Sequence, residues 1–331
     1  MKTKRILTLL LAVFAAVFLF GCKQNVGTPE DNAVVEEPEA GEEESEAENR
    51  LFGFACPDLS NPFYEVLKDS ISTALEEQGD RIMVRDAQMD SAVQNEQVQE
   101  LIDAGAEAVF LCPVDPEEVT PGLELLKEAD IPVINLDIRV NASELTDAFI
   151  GSDDYNAGRV CGEDLTAKFP DGGRVVIVES PKVGSVNERI TGFEEAVRNA
   201  AFEVVSRIDI TQDNQNVSGE LERILSEESI DAVMCGDDNM ALQVLDTLET
   251  AGRSDILVYT VGGSPAVKNA LADPASPMEG IGAQSPINIG KTAVKTAAAI
   301  LENGVYESEI NVETFFINQD NVDMYGTDGW Q

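Results

Sequence analysis

The chain of 331 residues contains no histidine. That absence removes the Ser-His-Asp triad, the Cys-His dyad and the common His-based zinc sites. Bases are scarce as well: 22 Lys and Arg stand against 62 Asp and Glu, a formal net charge of −40. From residue 51 onward, 52 acids still face 17 bases. A surface of that sign repels nucleic acid and anionic lipid headgroups, and it suits a salty or alkaline medium. Cysteine is limited to five residues with no CxxC pair. Cys56, Cys112 and Cys235 close apolar strand-like runs and read as buried thiols. A Cys56–Cys112 disulfide is the alternative that an extracellular compartment would permit.

The long apolar run comes first. Lys2, Lys4 and Arg5 precede "ILTLLLAVFAAVFLF" (6–20), followed by Gly21 and Cys22. A basic start, an apolar stretch and a small residue before the cut describe a secretory signal over residues 1–21. The run is short for a spanning helix, which needs about 20 residues. Small residue then Cys resembles a bacterial lipobox, although Phe20 is bulkier than usual there. That resemblance implies lipidation of Cys22 as the mature N-terminus. A plain N-terminal anchor is the other reading. Both place the body outside the cytoplasm, in the periplasm or on the outer face of the cell membrane. Residues 22–50 then form an acidic tether: "EEPEAGEEESEAEN" has no base and almost no large apolar group, so it cannot offset its own ordering entropy.

The body alternates. Strand-like runs at 51–56, 81–86, 106–112, 131–137 and 147–152 are separated by helical periods at 91–104 and 117–129, and by one in which Val66, Leu67, Ile71, Ala74 and Leu75 share a face. The pattern restarts with strands at 173–180, 202–208, 230–236 and 256–262, and helices at 187–200, 215–227 and 239–252, where Gly252 suits a C-terminal cap. Apolar strands alternating with helices predict parallel sheets covered on both faces. The fold class is therefore α/β, with two doubly wound lobes. Open parallel sheets bind ligands beyond the carboxyl ends of their strands. Residues 61–64, 137–139, 237–239 and 262–264 occupy such positions.

Several catalytic motifs fail. Gly290-Lys291-Thr292 suggests a P-loop, but the required earlier glycine is Ser285. A helix that packs through Ile289, Ala293, Ala297 and Ile300 explains the segment. "VGGSP" (261–265) lacks dinucleotide-fingerprint spacing. The acidic pairs Asp153–Asp154 and Asp237–Asp238 have no EF-hand spacing and read as carboxylates at helix N-termini. No cofactor and no metal are called for.

"CPDLSNPFYEVL" (56–67) is the telling stretch. Asn61 as N-cap and Pro62 as the first helical residue would start a helix. Phe63 and Tyr64 then either cover the edge of the core or line a ligand site. With "DAGAEAVFLCPVDPEEV", "ADIPVINLDIRV", "IGSDDYNAGRVCGEDL", "GSVNERITGFEEAV", "GDDNMALQVLDTLETAGRSDI" and "GAQSPINIGKTAV" in order, the chain resembles the ribose-binding-protein type of sugar-binding component of ABC importers, over about residues 51–315.

That resemblance implies a type I periplasmic binding protein with two Rossmann-like lobes, joined by three crossovers and closing on ligand by hinge motion. The lobes expected are 51–151 plus 285–312, and 152–284 plus 313–331. It implies sugar contacts at Asn61, Phe63, Tyr64, Asp137, Arg189 and Gln284, with flat rings on C–H faces and charged or amide groups on hydroxyls. Asp137 and Arg189 also fit a plain surface ion pair, and Gln284 a hinge hydrogen bond. Three positions depart from the ribose pattern. An Arg is replaced by Ile138, with Arg139 one place on and expected to face the other way; an Asn becomes Asp237; an Asp becomes Gly262, in a strand end that also offers Ser264. Ribose itself is thus in doubt, and another pentose, a hexose, a polyol or an autoinducer-type sugar fits as well. The expectation is a non-enzymatic, monomeric, lipid-anchored receptor that delivers sugar to an ABC permease and does not bind nucleic acid. A receptor signalling to a membrane sensor and a secreted carbohydrate-active enzyme are the alternatives. A sugar-responsive transcription regulator is set aside on the secretion signal and the lack of a DNA-binding headpiece.

Overall fold

The structure is a computed structural model that describes residues 49–181, 183–211 and 215–331. The signal segment, Cys22 and nearly all of the tether lie outside the described residues.

The first half of the body runs β1 (Leu51–Cys56), α1 (Pro62–Glu76), β2 (Arg81–Asp86), α2 (Ser91–Asp103), β3 (Ala108–Leu111), α3 (Thr120–Glu128), β4 (Val133–Leu136) and β5 (Ala148–Ser152). The second runs α4 (Asp154–Lys168), β6 (Arg174–Glu179), α5 (Gly184–Val197), β7 (Glu203–Asp209), α6 (Val217–Glu227), β8 (Ala232–Cys235), α7 (Asp238–Ala251), β9 (Leu257–Gly262), α8 (Pro265–Ala272) and β10 (Met278–Ala283). The chain closes with α9 (Pro286–Leu301), β11 (Glu309–Val312), β12 (Phe315–Asn318) and α10 (Val322–Tyr325).

These strands form two sheets, ordered β11-β5-β4-β3-β1-β2 and β12-β10-β9-β8-β6-β7. Every pairing is parallel except β10 with β12. The chain passes between the sheets after β5, after β10 and after β11. In each sheet the strand order reverses beside the first strand, β1 or β6, the switch point where open α/β sheets take ligands.

The strands are apolar on both faces because both faces are covered. On β1, Phe52, Phe54 and Cys56 enter a core shared with Leu67 and Ile71 of α1 and Ala293 of α9, whereas Ala55 enters the opposite core with Val98 of α2 and Leu123 of α3. On β6, Val176 and Val178 join Leu221 and Val244, while Val175 and Ile177 join Cys161 and Phe193. The four cysteines of the body are buried and unbridged, so the Cys56–Cys112 bridge does not form here.

Asn61 caps α1, accepting the Phe63 N–H at 3.0 Å, with Pro62 in the first turn. Gly252 ends α7 at φ +66, in the left-handed region. Gly290 lies inside α9 against Ser70 and Ile71 of α1, so the P-loop look-alike is a site of helix packing. Two helices start elsewhere than their periodicity suggested. The Asp115 side chain takes the Glu117 and Glu118 N–H groups in a turn that delays α3 to Thr120, and α5 runs from Gly184 to Val197. The strands β10, β11 and β12 carry little apolar alternation. Gly280 of β10 makes room for the Phe316 ring, and Gly282 for the Ala157 carbonyl of α4.

Candidate ligand-binding site

The strand ends of both sheets meet at a cavity of about 390 Å³, a size typical of small-molecule sites. Asn61, Phe63, Tyr64, Asp137 and Ile138 reach it from the first lobe, and Arg189, Asp237, Gly262, Ser264 and Gln284 from the second.

The first-lobe wall is aromatic. Phe63 and Tyr64 meet edge to face at 5.5 Å and 88°. Both are also members of the first-sheet core, so the two readings of these rings hold together. The Tyr64 hydroxyl donates to Asp137 Oδ2 at 2.9 Å. Asp137 adopts φ +62, in a region that L residues avoid. Asn135 braces that turn: its Nδ2 donates to the Leu111 and Ile138 carbonyls, and its Oδ1 accepts the Val140 N–H at 3.0 Å. Burial raises the Asp137 pKa, opposed by Arg189 and by the Tyr64 hydrogen bond.

Arg189 faces this wall from α5 because α4 and α5 lie in backbone contact. A Cβ at Gly158 would sit 1.7 Å from the Arg189 carbonyl oxygen, and one at Gly192 2.0 Å from that of Tyr155. The close approach sets Arg189 Nε 2.6 Å from Asp154 Oδ1, at the start of α4. Nη1 donates to the Gly236 carbonyl at 2.9 Å. Burial works against this guanidinium's charge, but Asp154 and Asp137 outweigh it and hold its pKa above the usual value. Burial pushes Asp154 up to about 6 despite Arg189. The surface-pair reading of Arg189 therefore fails: it is 6% exposed and paired within the protein interior. Gln284 Nε2 donates to Ser152 Oγ at 3.0 Å and to Asp154 Oδ1 at 3.3 Å, tying two crossovers together at the cavity.

The third wall is the N-terminus of α7. Asp237 caps it, accepting the Met240 N–H at 2.8 Å. Asp238 Oδ2 accepts the Gly263 and Ser264 N–H groups at 3.0 and 2.7 Å. A Cβ on Gly262 would lie 2.3 Å from Asp238 Oδ1. The space beside Gly262 on β9 is thus filled by the carboxylate that follows the neighbouring strand β8. Burial raises Asp238 to about 6.

Arg139, a possible contact expected to face the other way, does not line the cavity: it pairs with Glu309 at 2.8 Å and lies over the Phe149 ring at 3.8 Å. Beyond β4 the chain turns through Asp137, and successive side chains diverge, so Ile138 faces the cavity and Arg139 the solvent. Asp238 and Trp330 also line the cavity. Asp238 was marked by its place after β8 and as one of an acidic pair at a helix N-terminus, and Trp330 by nothing local.

Two doubly wound lobes with charged, amide and aromatic groups converging between them define a two-lobed solute receptor. The model of the family described as periplasmic binding protein domain matches residues 52–304, and the chain belongs to that family. Over 257 residues it is 28% identical to the ribose import binding protein of Escherichia coli (strain K12), covering 77% of this chain and 86% of that protein. It is 25% identical over 228 residues to a D-ribose/D-allose-binding protein of Pseudomonas aeruginosa, covering 65% and 71% respectively. The crystal structure of an ABC transporter solute binding protein from Mycobacterium smegmatis with bound glycerol superposes with a TM-score of 0.77 at 25% identity, covering 85% of this chain and 99% of that one.

Proposed function

We propose that this protein captures a sugar or related polyol between its lobes and delivers it to an ABC permease. The observation that carries the reading is one cavity in which aromatic rings of the first lobe face a guanidinium, carboxylates and an amide of the second. A sugar has apolar C–H faces and a rim of hydroxyls. Phe63 and Tyr64 would cover the former; Asp137, Asp237, Arg189, Asn61 and Gln284 would take the latter, by charge-assisted hydrogen bonds where the group is ionised. The names of the relatives, ribose and D-ribose/D-allose binding proteins, support that ligand class.

Ligand that touches both lobes only when they close would favour the closed form by population shift. No covalent step is assigned. Burial pushes the thiol of Cys56 up to about 12 and that of Cys112 well above its ordinary value, so neither is a nucleophile at neutral pH. We place the receptor outside the cytoplasm as a monomer, anchored by lipid at Cys22. Its lobes would comprise 51–151 plus 285–312, and 152–284 plus 313–331.

A melting-temperature screen of the purified protein against pentoses, hexoses and polyols tests the reading. Ligand at 100 times its Kd adds about 2.7 kcal/mol to the folded state, a shift of several degrees. A folded, ligand-free protein that shifts with no sugar or polyol would sink it.

A further inference from the structure

Trp330 is the only tryptophan in the chain, and it lies far in sequence from every other group in the cavity. After α10, residues 326–331 run from α8 to the start of α9, and Trp330 lines the cavity on the way. Buried Lys268 of α8 donates to the Gly329 carbonyl, and Asn269 Nδ2 to that of Thr327 at 3.2 Å. These bonds hold the segment to the second lobe. Its far end is held to the first: Trp330 packs into the first-sheet core, edge to face with Phe63 at 5.6 Å and 79°, and Ser285 Oγ, at the start of α9, donates to the Gln331 backbone oxygen.

Trp330 lines the cavity together with Phe63 and Tyr64. Its indole is half-buried, so part of the ring stays open to a ligand. A flat aromatic ring packs well against the apolar C–H face of a sugar.

We infer that Trp330 is a ligand-contacting, specificity-determining residue: residues 326–331 form a strap that carries its indole onto the cleft as a third aromatic wall, where the ring packs against an apolar face of the ligand. Lys268 is a positioning residue that fastens the strap. The inference rests on the sugar reading of the cleft and adds to it a residue outside the matched 52–304 region.

The lone tryptophan is its own probe. The purified protein is titrated with D-ribose, D-allose, myo-inositol and glycerol, with calorimetry as the independent measure of binding. A binder found by calorimetry should shift Trp330 emission with the same Kd. Trp330→Leu, which keeps an apolar group against the first-sheet core and loses the ring, should weaken that binder about fivefold to tenfold in a protein that still unfolds cooperatively. Lys268→Met should red-shift the emission of the ligand-free protein and weaken the same binder. A binder that leaves the emission unmoved and binds Trp330→Leu equally well overturns the inference while the sugar reading stands. An emission shift with unweakened Trp330→Leu overturns the ring contact. A panel with no binder by calorimetry fails the sugar reading, and the inference with it.

Discussion

Asp238 owes its place in the cleft to the glycine beside it. Gly262 has no side chain, so the Asp238 carboxylate packs against the strand end and takes two N–H groups of the following turn. Its burial raises its pKa to about 6, against about 3.9 for an aspartate in an unfolded chain. The folded form therefore holds this proton more tightly than the unfolded one. The stability this adds is fully present below about pH 4 and is lost as pH rises through 6. The difference amounts to roughly 3 kcal/mol at most. Asp238→Asn keeps an acceptor for the turn and cannot titrate, so its melting temperature should fall less between pH 4 and pH 6 than that of the parent. Asp154, raised to about 6 by burial, keeps its own share of the slope in both proteins. Parallel profiles for parent and variant would exclude the buried carboxylate as the cause.

At the scale of elements, the α4–α5 contact positions the site. Gly158, Gly162 and Gly192 bring the two backbones together, and Arg189 reaches Asp154 only because of that approach. Gly158→Ala places a methyl group on the Arg189 carbonyl, against rigid backbone. Overpacking of this kind costs about 1–3 kcal/mol. Denaturant midpoints should fall accordingly, and sugar affinity should fall with them as Arg189 withdraws. A variant with parental stability and affinity would show that the helices can part without moving the guanidinium. The α4 and α5 glycines were in plain sight in the sequence, but their meaning was not. A helical glycine is a cost unless something occupies the space, and only the neighbouring helix supplies that.

For the molecule as a whole, charge is the dominant feature. With a net charge of −40, the compact state repels itself more than the unfolded chain does. Salt screens that repulsion, with a Debye length of about 10 Å at 0.1 M. The melting temperature should therefore rise through the first few tenths molar of sodium chloride. A flat or falling series would show that local pairs such as Arg174 with Glu228 and Arg223 with Glu227 outweigh the global repulsion.

The sequence by itself determined the alternation of strands and helices, since strands covered on both faces must be apolar throughout. It determined the Asn61 cap and the Gly252 stop, which are local backbone chemistry. It also marked the strand ends from which Asn61, Asp137, Asp237 and Gly262 reach one cavity, because doubly wound sheets bind there. The tertiary structure decided what depends on partners distant in the chain. It turned Arg139 out to Glu309, set Asp238 in the space left by Gly262, and gave β10 its glycines as berths for Phe316 and Ala157. It brought Trp330 beside Phe63 across most of the chain's length. A periodic pattern records which face of an element is buried; which residue lies across the gap is set when the elements pack.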